Sequence, residues 1–185
     1  MVPLGALVLI HVLDYGRVLL GAYEIGARRH PSIALLVAEA LLVFVPLALH
    51  AVWSLSVWRR RRAVEGSSGS MLAHRIAGVV VLVFLADHFV RFRLPILRGE
   101  AHPGDSVVRL AAELSTTRGG MPWVAALHLV GTIAVAFHLA MGLRRIVDRS
   151  ERLRASPAAR ASSVAVGIVI GVVGVLTILR LAAGA

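Results

Sequence analysis

The chain has 185 residues, 58% of them hydrophobic and 16% charged, a balance that fits a polytopic membrane protein and excludes a water-soluble globular domain. It has no cysteine, which excludes disulfides, thiolate metal sites and cysteine-held iron–sulfur clusters within this chain. All 20 basic residues are arginine and the net charge is +10, yet the arginines fall between apolar stretches, so they set membrane topology and do not mark a nucleic-acid partner.

Five apolar stretches follow in order: Val2 to about Tyr15, Ile33 to Trp58, Met71 to Arg93, Pro122 to Leu143, and Ser163 to Leu181. All but the first reach the ~20 residues that cross a bilayer at 1.5 Å per residue. The predicted fold is all-α, a five-transmembrane-helix bundle, with residues 1–185 as one domain. The opening MVPLGALVLIHVLDYG has neither a basic leader nor a small-residue cleavage site, so it reads as part of the mature protein. The longest connection, Leu94 to Met121, is read as a loop. In the last stretch Gly167, Gly171 and Gly174 have close-packing spacing, which predicts a packing helix.

Connections after the second and fourth spans carry eleven arginines, against eight on the opposite side. The positive-inside bias puts the first group in the cytoplasm. The expectation is a multi-pass protein of a bacterial inner membrane with its N-terminus cytoplasmic.

Depth sorts the histidines. His50 lies eight residues before Trp58 and His138 seven before Arg145, so both sit ~10–12 Å from the cytoplasmic boundary. Two histidines at one depth on neighbouring helices suit the axial positions of a haem standing between them. His88 lies 17 residues beyond Met71, ~25 Å from that boundary. Its partner at that height is His11 or His128. His128 is ten residues from His138, which turns it about 80° around the helix and disfavours it for the same stack. A zinc site wants three or four ligands close together, so two separated histidine pairs suit two b haems better. His74 is only three residues into its span, too shallow to match His50. With Arg75 it reads as an interfacial pair that could meet a haem propionate, a quinone headgroup or a partner subunit. His30 and His102 read as solvated loop residues.

Two acids fall inside spans, where ionisable groups mark function by default. Glu39 shares the His50 face of its helix at the depth of His88, a position where a carboxylate can accept a proton or bind a quinol hydroxyl. Asp87 can orient His88 or pair with Arg91, itself a candidate propionate contact.

The runs VFVPLALHAVWSL around His50, HRIAGVVVLVFLADH ending at His88, and GTIAVAFHLAMGLRR around His138 resemble the five-helix, two-haem cytochrome b subunit of succinate:quinone oxidoreductases, the succinate dehydrogenases and fumarate reductases. The resemblance covers about Ile10 to Arg145. Its most specific parts are the F-H-x-x-x-G-L run at Phe137 to Leu143 and the HR-x-x-G spacing from His74 to His88. It implies that His50 and His138 hold an inner haem b and that His11 and His88 hold an outer one. It also implies a flavoprotein and an iron–sulfur subunit on the cytoplasmic side, and exchange with membrane quinone, expected to be menaquinone, near the outer haem. Some fumarate reductases of this kind carry a glutamate two residues before the fourth-helix ligand; here Ala136 stands there, so that proton path has no support.

Two other readings stay open from the residues: a di-haem cytochrome b serving a hydrogenase or formate dehydrogenase, and a haem-free transporter or scaffold with a proton relay. One further expectation concerns the first span. Ten residues before His11 make only ~15 Å of helix, short of the depth of His88, so a segment upstream of Met1 is expected.

Overall fold

The computed structural model describes residues 12–13, 16–20, 37–38, 40–61, 69–101 and 105–183. His11, His30, Glu39 and His102 lie outside them, as does most of the first predicted span. Among the described residues the chain is all-helical and has no strand; one isolated pairing of Arg118 with Met121 closes a tight turn. Gly119 and Gly120 sit inside that turn with φ of 61° and 78°, a left-handed backbone that glycine adopts without steric cost.

Among the described residues four helices are long and apolar enough to cross a membrane. The first, α1, runs over Val45–Arg61 and is entered through a π-helical turn, π1, at Ala40–Phe44. The second, α2, covers Gly69–His88 and continues through another π-turn, π2, at Phe89–Arg93 into the short α3, Leu94–Leu97. The other two are α5, Trp123–Arg149, and α6, Pro157–Ala182. These four match the second to fifth predicted spans.

The helices overrun the apolar stretches for local reasons. Ser156 caps α6 by accepting the Ala159 amide at 3.2 Å, with Pro157 in the first turn, so the helix starts six residues before the apolar run. At the other side of that connection α5 continues through Arg144 and Arg145, where Asp148 lies 3.8 Å from Arg144 and 3.2 Å from Arg160. The stretch read as a long loop contains α4, Ser106–Ser115. Val107, Leu110, Ala111 and Leu114 recur on one face of it, and that face packs into the bundle.

The spans alternate in direction. Phe44 meets Phe89 (ring centroids 5.2 Å) while His50 meets His138, and Phe84 lies against Gly131. The bundle therefore has a near end, holding Arg59, Gly69, Arg149 and Pro157, and a far end, holding α3, α4 and Trp123. At the far end Leu114, only 1% exposed, packs with Phe92, Val124, Leu181 and Val18 from the segment 16–20. Arg180 donates to the Leu19 carbonyl there.

Helix α5 is the axis, packed along α2 on one side and α6 on the other. Small residues permit that approach. A Cβ on Gly167 would lie 2.6 Å from Ala140 Cβ and 2.9 Å from the Ala136 carbonyl, and one on Gly174 would lie 2.5 Å from Thr132 Cγ2. Buried hydroxyls are satisfied within α6, with Ser163 donating to Arg160 and Thr177 to Val173. The outward face of α6 shows Ile168, Val172, Leu176 and Leu179, as a helix against lipid requires. Gly167→Ala and Gly174→Ala are each expected to destabilise the protein by about 1–3 kcal/mol through overpacking. Gly171→Ala, whose Cβ would stand 3.3 Å from Ala136, should cost less; thermal unfolding in detergent measures the order.

Candidate functional site

Helix α5 carries His128 and His138 ten residues apart, about 15 Å along its axis. Each is met by a histidine from another helix. At the near level the His138 ring stacks face to face on His74, with centroids 4.2 Å apart and planes within 5°. It also faces His50 at 6.4 Å, with planes 78° apart. His138 Nδ1 donates to the His74 carbonyl at 3.3 Å. A carbonyl only accepts, so the proton sits on Nδ1 and Nε2 keeps its lone pair.

These relations sort the three rings chemically. Two rings lying flush cannot bind one ion from opposite sides, which removes His74 as a ligand opposite His138. His50 is the ring across the gap. An ion held by one nitrogen of each imidazole at about 2.0–2.1 Å sets the centroids roughly 6 Å apart, close to the separation found. Ring contacts link π1 and α1 to the other described helices, Phe44 to Phe89 and His50 to His138. The His50–His138 pair therefore has the ring separation that one ion held from both sides would need. The depth argument from sequence judged His74 too shallow for this level. The helix starts at Gly69, and α5 overhangs it at the near end, so counting residues from the apolar edges misplaced the two against each other.

At the far level His128 is 3% exposed, and its Nδ1 donates to the Val124 carbonyl at 2.9 Å. Its Nε2 is buried with no hydrogen-bond partner among the described residues. The ring lies 5.8 Å from His88, with Phe84 and Phe92 edge-on at 5.3 and 5.7 Å. Although that separation also suits an ion, the surroundings do not suit a macrocycle. Phe84 fills the space over Gly131, where a Cβ would fall 2.3 Å from its Cγ, so the α2–α5 gap is closed one turn below the pair. Phe84 thus narrows the space beside His88 and His128. His88 ends α2 and π2 begins at the next residue; π-turns of this kind widen a helix locally and recur at functional positions.

Above the pair, Arg91 Nε donates to both Asp87 oxygens at 2.9 Å, and its Nη1 to Glu113 at 3.2 Å. Arg109 donates to the Arg91 carbonyl, so α4 is tied to π2 by charge as well as by apolar contact. The Arg91 guanidinium is thus engaged by two carboxylates. Arg75 is half-buried beside His74. Along the side of α2 and α5 runs an apolar groove of about 430 Å³, lined among others by Ala73, Ala77, Val130, Ala134 and Phe137. It can take hydrocarbon but offers a headgroup no hydrogen bond.

Among the described residues no three His, Asp or Glu side chains come together in a way that could hold a metal ion. Sequence reasoning held Gly78 only as the glycine of the HR-x-x-G run, with no role, and missed the Phe84–Gly131 contact. Only the spacing of Gly78 from His74, one helical turn, hinted at the first. No protein-family model matches the chain, no curated protein matches it, and no solved structure matches it.

Gly131→Ala is expected to cost about 1–3 kcal/mol by overpacking against Phe84. Phe84→Leu in the same chain should recover part of the loss. Detergent melting curves test this, and an equal loss in single and double variants would contradict the packing argument.

Proposed function

We propose that the chain is the membrane anchor and electron-transfer subunit of a succinate:quinone oxidoreductase, holding two b haems and exchanging electrons with membrane quinone. The observation that carries the reading is the His50–His138 pair: two rings from different helices, nearly perpendicular, with centroids 6.4 Å apart. His50 and His138 hold the inner haem in this reading. His88 holds the outer one together with His11, the partner that the family resemblance implies. The closed gap between His88 and His128 favours that choice.

Each haem, when bound, supplies a one-electron centre, which suits transfer between a one-electron cluster and a two-electron quinone. The residues of the chain orient and insulate these centres. The His74 carbonyl fixes the tautomer of His138. Phe84, Phe92 and the α5–α6 contact keep water from the outer histidines. The arginine bias sets the near end in the cytoplasm, where a flavoprotein and an iron–sulfur subunit dock and deliver electrons to the inner haem. Glu39 handles a quinone proton at the outer level.

Purification of the tagged chain from its native membrane tests the assignment. A flavoprotein and an iron–sulfur subunit that let succinate reduce the chain are expected; a hydrogenase or formate dehydrogenase partner would move the chain to the neighbouring cytochrome b class. Redox titration should show two b-type steps, with the inner one absent in His50→Ala and His138→Ala and the outer one absent in His11→Ala and His88→Ala. Glu39→Gln should slow quinone turnover with both haems retained. Unchanged quinone kinetics would reduce Glu39 to a structural hydrogen-bonder.

A further inference from the structure

The surroundings of His138 are shaped by α2. The His74 ring covers one face at 4.2 Å and 5°, and the His74 carbonyl takes the Nδ1 proton. One turn on, Gly78 presents a bare Cα, where a Cβ would lie 3.0 Å from His138 Cε1 and 3.3 Å from Nδ1. The ring is gripped on a face, at a nitrogen and along an edge by three features of one helical turn. Each contact alone leaves the imidazole free to rotate about its outer nitrogen. Together they leave one orientation.

We propose that His74 and Gly78 form a slot that sets the rotation of the His138 ring about its bond to iron, making His74 a positioning residue and not a ligand, propionate contact or docking residue. This rests on the haem reading above. Its consequence is electronic. In a ferric haem with two imidazole ligands, the angle between the ligand planes governs how far the iron d orbitals split, and near-perpendicular planes give the largest g value. His50 and His138 stand at 78°, near that limit. Releasing His138 can therefore only lower the mean angle and broaden its spread. The stacking face, not a charge or a hydrogen bond from His74, is what the slot needs, because the hydrogen bond comes from the backbone carbonyl and survives substitution.

Electron paramagnetic resonance of the oxidised full-length protein, or of its complex where subunits copurify, tests the slot. Wild type is expected to show an inner-haem signal with a large g maximum. His74→Phe keeps a flat face and should leave that signal in place. His74→Leu has bulk without a face and should shift the g maximum down and broaden it, and Gly78→Ala should do the same by pushing on the ring edge. The outer-haem signal should stay unchanged in all three. If His74→Leu matches wild type, or if His74→Phe behaves as His74→Leu does by shift or by loss of the haem, the slot is overturned while the haem reading stands. Wild-type protein with no b-type signal would overturn both.

Discussion

The bundle depends on how closely α5 can approach two helices at once. Gly131 lets Phe84 of α2 lie against its backbone, and Ala136 and Ala140 receive Gly167 of α6. Lipid gives no hydrophobic reward for pairing two apolar helices, so the association rests on van der Waals contact between small surfaces. With α5 held this way, His138 meets His74 and His128 meets His88. A bulkier residue at Gly131 or Gly167 would move the histidines before it touched any of them.

The second constraint is the cost of polar groups in hydrocarbon. Most of those described are answered locally: Ser163 and Thr177 by their own helix, Asp87 and Glu113 by Arg91, His128 Nδ1 by the Val124 carbonyl. What stays unanswered is concentrated on the histidines. His128 Nε2 and His74 Nδ1 are buried without a hydrogen-bond partner among the described residues.

The helices were legible because apolar length is a strong signal in a membrane protein, and the second to fifth predicted spans agree with the four described ones. Their ends were not, since Ser156 and the arginines of α5 act through capping and long amphipathic side chains, which an apolar count ignores. Helix α4 carried its signal in the spacing of Val107, Leu110 and Leu114, masked by a search tuned to long spans. Depth counting placed His50 and His138 at one level and His88 at the other. It failed for His74, because the offset between neighbouring helices is set by packing and not by where each apolar run begins. The closed gap at Phe84 and Gly131 was beyond a one-dimensional reading; it exists only where two helices meet.

Haem content of the purified protein tests the central claim most directly. A reduced-minus-oxidised spectrum with a b-type α-band, and haem extraction giving two haems per chain, is the result that the proposed reading predicts. A spectrum without that band would show that the histidine pairs serve something other than haem, and a proton-coupled transporter or scaffold would take the place of the cytochrome.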